Sequence, residues 1–413
     1  MRPAPAIALT ELPALTGLRG VAAFWVLLYH AWVQAGPRLM DFGEGAWRVD
    51  LTPLFSCGWA GVDIFFTLSA FLLSLPFVAW QTGRAPRPAL GTFWLRRVLR
   101  IFPAWYAQIA ALLLLAGVFG IGDWPSPLRL AGNLLLAFNL GPLSVEPLNP
   151  VAYTLPIEFC FYLLLPLLAF LLRPRWWMLL LLLAVVETQL YRQLMFPLVA
   201  AADIPHRVVV LEQLPGRLDQ FVFGMLAAYA FGRAAQAGRL PSAHACDALF
   251  AAGVLVFAVM LALIHLGSET YWDGGALLFS WHGLVGAAVA LMLFACAAGS
   301  RVAVALLSNR PLRHLGIISF GLYLWHYPLL HWLSAAGAFD RIEGYRLPWI
   351  LPVLLLGSLA LAELSYRAIE RPLLRIGRRR SVHPGVATAL AVGGTDAAPP
   401  HGMANTIPTG PSP

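Results

Sequence analysis

Lysine is absent from the 413-residue chain, and charge of either sign is scarce, at 12% of residues. Soluble domains carry about 25% charged residues, so the scarcity excludes a chain folded mainly in water. All 28 basic residues are arginine, against 20 acidic ones, for a net charge of +8. The missing lysine fits genome composition. Cysteine is scarce too. Cys57, Cys160, Cys246 and Cys296 form no CxxC pair, and three lie in apolar runs. That pattern gives neither a disulfide framework nor a metal site. The arginines are not interleaved with exposed aromatics on a soluble face, so no nucleic-acid partner is indicated. No internal repeat suggests inverted halves. The first apolar stretch is interrupted by Arg19, ends in Tyr29-His30 and is followed by no clean small-residue cleavage pattern. It is therefore not expected to be a cleaved signal peptide.

Apolar length is what the chain has in excess: 59% hydrophobic residues and a mean hydropathy of +0.72. A bilayer core needs roughly 20 apolar residues per helix. Runs of that length fall near 14–34, 58–80, 101–120, 153–172, 175–195, 216–233, 246–266, 276–298, 314–335 and 348–369. The expected fold class is an all-α polytopic membrane protein of about ten transmembrane helices. The short apolar stretch 128–140 is re-entrant, interfacial or an eleventh span.

Arginine bias orients the spans. With the N-terminus in the cytoplasm, the inner loops hold Arg84, Arg87, Arg96, Arg97, Arg100, Arg173, Arg175, Arg233, Arg239, Arg301, Arg310 and Arg313. The inner C-terminus adds Arg371, Arg375 and Arg378 to Arg380. The outer loops hold fewer arginines, offset by acidic residues. Both ends are thus expected in the cytoplasm of a multi-pass inner (plasma) membrane protein. Residues 1–13 read as a cytoplasmic N-terminus and 14–375 as the membrane domain. Residues 376–413, rich in Gly, Pro, Ala and Thr toward the end, read as a disordered cytoplasmic tail.

An ionisable group inside a spanning helix is costly and is a functional candidate by default. Arg19 and His30 are eleven residues apart, about 16 Å along a helix, and share one face. His30 reads as functional, or more plainly as a buried histidine bonded to a neighbouring helix. Glu158 is expected about one and a half turns below the outer surface, at the depth of His30, where a carboxylate could orient an imidazole. The plain alternative is an interhelical hydrogen bond. Asp63 is expected at a similar depth, with helix capping as the competing reading. Arg97 and Arg100, at i and i+3, are neighbours on one helix face suited to phosphate. A topology anchor or lipid-headgroup contact explains them equally well. His326 is expected in the outer half of its helix near His30 and joins Asp63 as a substrate-contact candidate. His206, His244, His265, His282, His314 and His331 are read as structural.

Six stretches, LTGLRGVAAFWVLLYH (15–30), GVDIFFTLSAFLLS (61–74), FWLRRVLRIFPAWY (93–106), YTLPIEFCFYLLLPLL (153–168), LGIISFGLYLWHYPLL (315–330) and LSYRAIERPLLR (364–375), span almost the whole chain. In this order they resemble the acyltransferase-3 family, which O-acylates bacterial surface glycans and some secondary metabolites. The resemblance implies a catalytic His30 with Arg19, an active-site Glu158, and Arg97 and Arg100 in contact with acyl-CoA. The implied donor is acyl-CoA, acetyl-CoA being expected, with no permanently bound cofactor. The implied acceptor is a hydroxyl of a glycan or glycosylated metabolite. The hydrolase-like domain that some relatives append has no counterpart in this sequence, so the membrane domain itself is expected to acylate the acceptor. Thr16, Ala70 and Phe159 depart from the family's usual Asp, Gly and Glu or Gln. The alternative reading is a proton-coupled transporter or a flippase for a lipid-linked substrate, with His30 and Glu158 relaying protons.

Overall fold

The computed structural model describes residues 12–42, 49–138 and 145–379. Helices dominate them: α1 (Pro13–Gln34), α2 (Thr52–Ser56), α3 (Gly61–Gln81), α4 (Leu90–Phe119), α5 (Pro127–Leu134), α6 (Thr154–Ala169), α7 (Trp177–Val199) and α8 (Ile204–Leu211). There follow α9 (Leu218–Gln236), α10 (Ala243–Leu266), α11 (Ala276–Ala298), α12 (Arg301–Leu307), α13 (Arg310–Ile317), α14 (Ser319–Ala335), α15 (Leu347–Ser365) and α16 (Arg371–Arg379). A two-residue antiparallel ribbon pairs Asp41 with Asp50 and Phe42 with Val49.

The protein is all-α and polytopic. Eight of the described helices are long and apolar enough to cross a membrane. The expected spans at 216–233 and 314–335 correspond to α9 and α14. These carry Asp219 and Arg233 in one case and number only 17 residues in the other, yet both pack inside the same bundle. The stretch 128–140 yields only the eight-residue α5, about 12 Å long and too short to span. Of the expected tail, residues 376–379 belong to α16. The rest lies outside the described residues, as does nearly all of the expected N-terminal segment.

Local chemistry sets many of the helix boundaries. Ser126, Asp203, Ser242, Ser300 and Asn309 each cap a helix by accepting a backbone N–H from three residues on. α11 stops at Gly299, whose φ of 105° lies in the left-handed region that favours glycine.

α3 is the most enclosed of the eight spans and packs against α1, α6, α9 and α11. Apolar side chains on α7, α10 and α15, such as Leu182, Leu255 and Leu356, face outward, as lipid-facing surfaces do. α1 lies so close to α12 and α13 that a Cβ on Gly17 would overlap the carbonyl oxygen of Leu307. One on Gly316 would overlap that of Thr16. Small residues let helix backbones approach in this way. The close approach seats α13 and the start of α14 beside the first half of α1.

Candidate functional site

A cavity of about 120 Å³ opens in the arginine-rich half of the bundle, and Arg19, Ser69, Arg97, Arg100, Glu158 and Tyr162 supply its polar wall. Ser69 Oγ donates to Glu158 Oε1 at 2.5 Å, and the Tyr162 phenol stands beside both. The Arg97 guanidinium lies over the Tyr162 ring, 5.7 Å from its centroid. The buried Nε of Arg97 has no hydrogen-bond partner. Arg100 lies over Phe320 at 5.3 Å and donates from Nη1 to Glu370 Oε2 at 3.1 Å. Glu158 attracts Arg19, while Arg97 and Arg100 repel it. Three guanidiniums thus stand against two carboxylates, Glu158 in the cavity wall and Glu370 behind Arg100, leaving a net positive field that draws polyanions such as phosphates.

The far end of the cavity is closed by Tyr323, Phe65 and Thr154. Tyr323 donates to the Val151 carbonyl at 2.5 Å and lies 3.1 Å from Thr154 Oγ1. On its other side its ring centroid is 5.9 Å from that of His326. His326 is buried and faces His30, its Nε2 lying 3.2 Å from His30 Nδ1. The tautomers follow from the remaining partners. A carbonyl only accepts, so His30 Nδ1–H donates to Val26 O at 2.8 Å and His326 Nδ1–H to Leu322 O at 3.1 Å. His326 Nε2 is then a lone pair that shares the His30 Nδ1–H. His30 Nε2 is left unprotonated, as a general base requires. Tyr29 and Tyr327 stand edge-on to the His30 ring at 4.9 and 5.2 Å.

The structure therefore brings together two groups, not one. Arg19, Arg97, Arg100 and Glu158 meet in the cavity, whereas His30 meets His326. The expectation that Glu158 lies at the depth of His30 and orients it is corrected. The reason is the approach to α6. Asn149 Nδ2 donates to Gln108 Oε1 at 3.2 Å and to the Leu324 carbonyl at 3.1 Å, and Gln108 also donates to that carbonyl. These bonds draw residues 149–153 into the bundle, so α6 begins level with Tyr323 and Glu158 lies deeper still. Arg19 likewise stands with the cavity rather than with the imidazole. Eleven residues on a helix preserve direction but add about 16 Å of depth.

Asp63 reaches neither group, and its side chain caps no helix. Its Oδ1 accepts from Arg217 Nη1 and Gln220 Nε2, both at 2.7 Å, and lies 2.7 Å from His282 Nδ1. His282 Nε2 is 3.1 Å from Glu212 Oε1, which also receives Arg192 Nη2 at 2.9 Å, and Arg217 pairs with Glu212 as well. Burial works against ionising Glu212, but Arg217, His282 and Arg192 hold its carboxyl well below the usual carboxylate range. This enclosed network ties α3, α7, α9 and α11 together. Asp63 is consumed by it, and His282, expected to be merely structural, is its hub.

Sequence reasoning missed Ser69, Tyr162 and Tyr323. Tyr323 and His326 are at i and i+3 in one motif, a same-face spacing that was there to be read.

The family model described as an acyltransferase domain matches residues 12–367. The O-acetyltransferase OatA of Staphylococcus aureus (strain NCTC 8325 / PS 47) is 27% identical over 395 residues, covering 89% of this chain and 58% of the relative. The putative peptidoglycan O-acetyltransferase YrhL of Bacillus subtilis (strain 168) is 27% identical, covering 89% and 56%. The peptidoglycan O-acetyltransferase OatA of Listeria monocytogenes is 25% identical, also covering 89% and 56%. The chain thus spans somewhat over half the length of these relatives. No solved structure matches it.

Proposed function

Because the chain belongs to the acyltransferase-3 family, we propose that it is a membrane O-acyltransferase moving an acyl group, acetyl being expected, from acyl-CoA to a glycan hydroxyl. The single observation that carries this reading is the sequence of groups from one end of the bundle inward: a triple-guanidinium cavity, then Tyr323, then an imidazole with a free Nε2. The relatives' names point the acceptor toward peptidoglycan sugars. The arginine bias of the loops supports a cavity facing the cytosol, the side from which acyl-CoA would enter in this reading.

In this reading Arg97 and Arg100 hold donor phosphates through charge-assisted bonds. Arg19, counterbalanced by Glu158, belongs to the same donor site. The pantetheine arm bridges the roughly 16 Å of depth from Arg19 to His30, which requires the Tyr323 side chain to give way. At His30 the acceptor O–H bond breaks as its oxygen bonds to the thioester carbonyl carbon, and the proton passes to Nε2. The tetrahedral intermediate then collapses with cleavage of the C–S bond. The thiolate takes the proton back from the imidazolium, leaving an ester and free CoA. During the step His326 Nε2 accepts from Nδ1–H and stabilises the charge on His30.

The test is release of free thiol from acetyl-CoA by the purified protein in lipid, with and without peptidoglycan fragments. Acceptor-dependent release that falls about 10²- to 10⁴-fold in His30→Ala is expected of a general base. Acceptor movement across the membrane without thiol release would instead establish a transporter, and unchanged turnover in His30→Ala would remove the catalytic assignment.

A further inference from the structure

The stretch LSYRAIERPLLR contributes nothing to the scheme so far, yet it delivers a carboxylate to Arg100 in the wall of the donor cavity. Residues Tyr366–Glu370 form a single π-helical turn between α15 and α16. Such turns are rare and gather at functional positions. This one directs Glu370, 1% exposed, onto Arg100: Oε2 accepts from Nη1 at 3.1 Å. The other oxygen, Oε1, lies 3.5 Å from Ser365 Oγ. α16 continues the same helix alongside α4, where Arg96 Nε donates to the Gly377 carbonyl at 3.3 Å.

The two arginines three residues apart are therefore not equivalent. Arg97 rests on an aromatic face, with its Nε unpartnered. Arg100 is already held by a carboxylate. Both line the same cavity. A carboxylate and a phosphate oxygen compete for the same guanidinium hydrogens.

We infer that Glu370 is a resident stand-in for a donor phosphate, so that phosphate arriving at Arg97 must take Arg100 from Glu370 before the donor is fully bound. This rests on the acyl-CoA reading above. The exchange swaps one ion pair on Arg100 for another, so the guanidinium is never left buried and uncompensated. It also weakens binding by the cost of releasing the internal pair. That favours discharge of CoA after transfer, when Glu370 recaptures Arg100.

The test is binding of CoA to the purified full-length protein in detergent, for wild type, Glu370→Gln and Glu370→Asp, with pantetheine, which lacks phosphate, as the control probe. Glu370→Gln keeps shape and removes charge. It should bind CoA about tenfold more tightly, matching one charge-assisted bond no longer displaced, and leave pantetheine unchanged. In turnover its KM for acetyl-CoA should fall while kcat falls too, because release slows. Glu370→Asp, shorter by one methylene but still charged, should lie between and serves if Glu370→Gln does not fold. Equal CoA affinity in all three proteins overturns the inference while leaving the donor reading intact. Weaker CoA binding in Glu370→Gln overturns it in favour of a strut for Arg100. CoA binding to none of the three overturns the donor reading itself.

Discussion

Replacing His326 with alanine isolates the second imidazole from the first. In the resting pair the His30 Nδ1–H is shared between the Val26 carbonyl at 2.8 Å and His326 Nε2 at 3.2 Å. When His30 takes the acceptor proton, both become bonds to a cation. A hydrogen bond to a charged group contributes about 1.5–3 kcal/mol, equivalent to about 10- to 150-fold in rate. His326→Ala removes the longer of these two hydrogen bonds and leaves the shorter one, to Val26, in place. The lower end applies, so kcat should fall about tenfold with KM for acetyl-CoA unchanged. His326→Gln places an amide oxygen where Nε2 stood and should recover most of the loss, a rescue that mere repacking would not give. The assay is acceptor-dependent thiol release, with melting temperature as the check on folding. A kcat within twofold of wild type would refute the tautomer argument. A loss as deep as that of His30→Ala would make His326 the base.

Two further substitutions probe the scaffold. Asp63→Asn leaves the buried Arg192 and Arg217 sharing Glu212 as the one carboxylate of the network and should cost about 3 kcal/mol, the low end for a broken buried pair, read as a lower melting temperature in detergent with CoA affinity per folded molecule unchanged. Gly17→Ala drives a methyl group into the Leu307 carbonyl where α1 meets α12 and should cost about 1–3 kcal/mol in the same measurement, as overpacking does elsewhere.

Much of this architecture is written in local sequence. Uninterrupted apolar runs mark the spans because lipid demands them, and Arg97 and Arg100 meet because i and i+3 share a helix face. The shared face of Arg19 and His30 is legible for the same reason. Their separation in depth is legible too, yet its consequence depends on where the donor site ends, which α1 alone does not say. Glu158 is misplaced by sequence alone because depth is counted from a loop expected at the surface. Asn149 and Gln108, binding one carbonyl on α14, pull that loop inward, and no periodicity encodes such a bond. The Asp63–His282–Glu212 network joins residues 70 to 219 positions apart. Each of them alone looks like an isolated polar group in an apolar run. The depth of His326 is readable but its pairing with His30 is not, because helix packing, not spacing, sets α14 beside α1.

The proposed reaction depends on one spatial relation: a donor held by guanidiniums at one end must deliver its thioester to His30 at the other. The measurement that tests it most directly is a structure of the protein with CoA bound. We predict phosphate oxygens on Arg97 and Arg100, Tyr323 swung aside, and the thiol sulfur close enough to His30 Nε2 for an acceptor oxygen to sit about 3–3.5 Å from the reacting carbon. CoA bound with its phosphates away from these arginines, or with its sulfur stopped on the Glu158 side of an unmoved Tyr323, would contradict it.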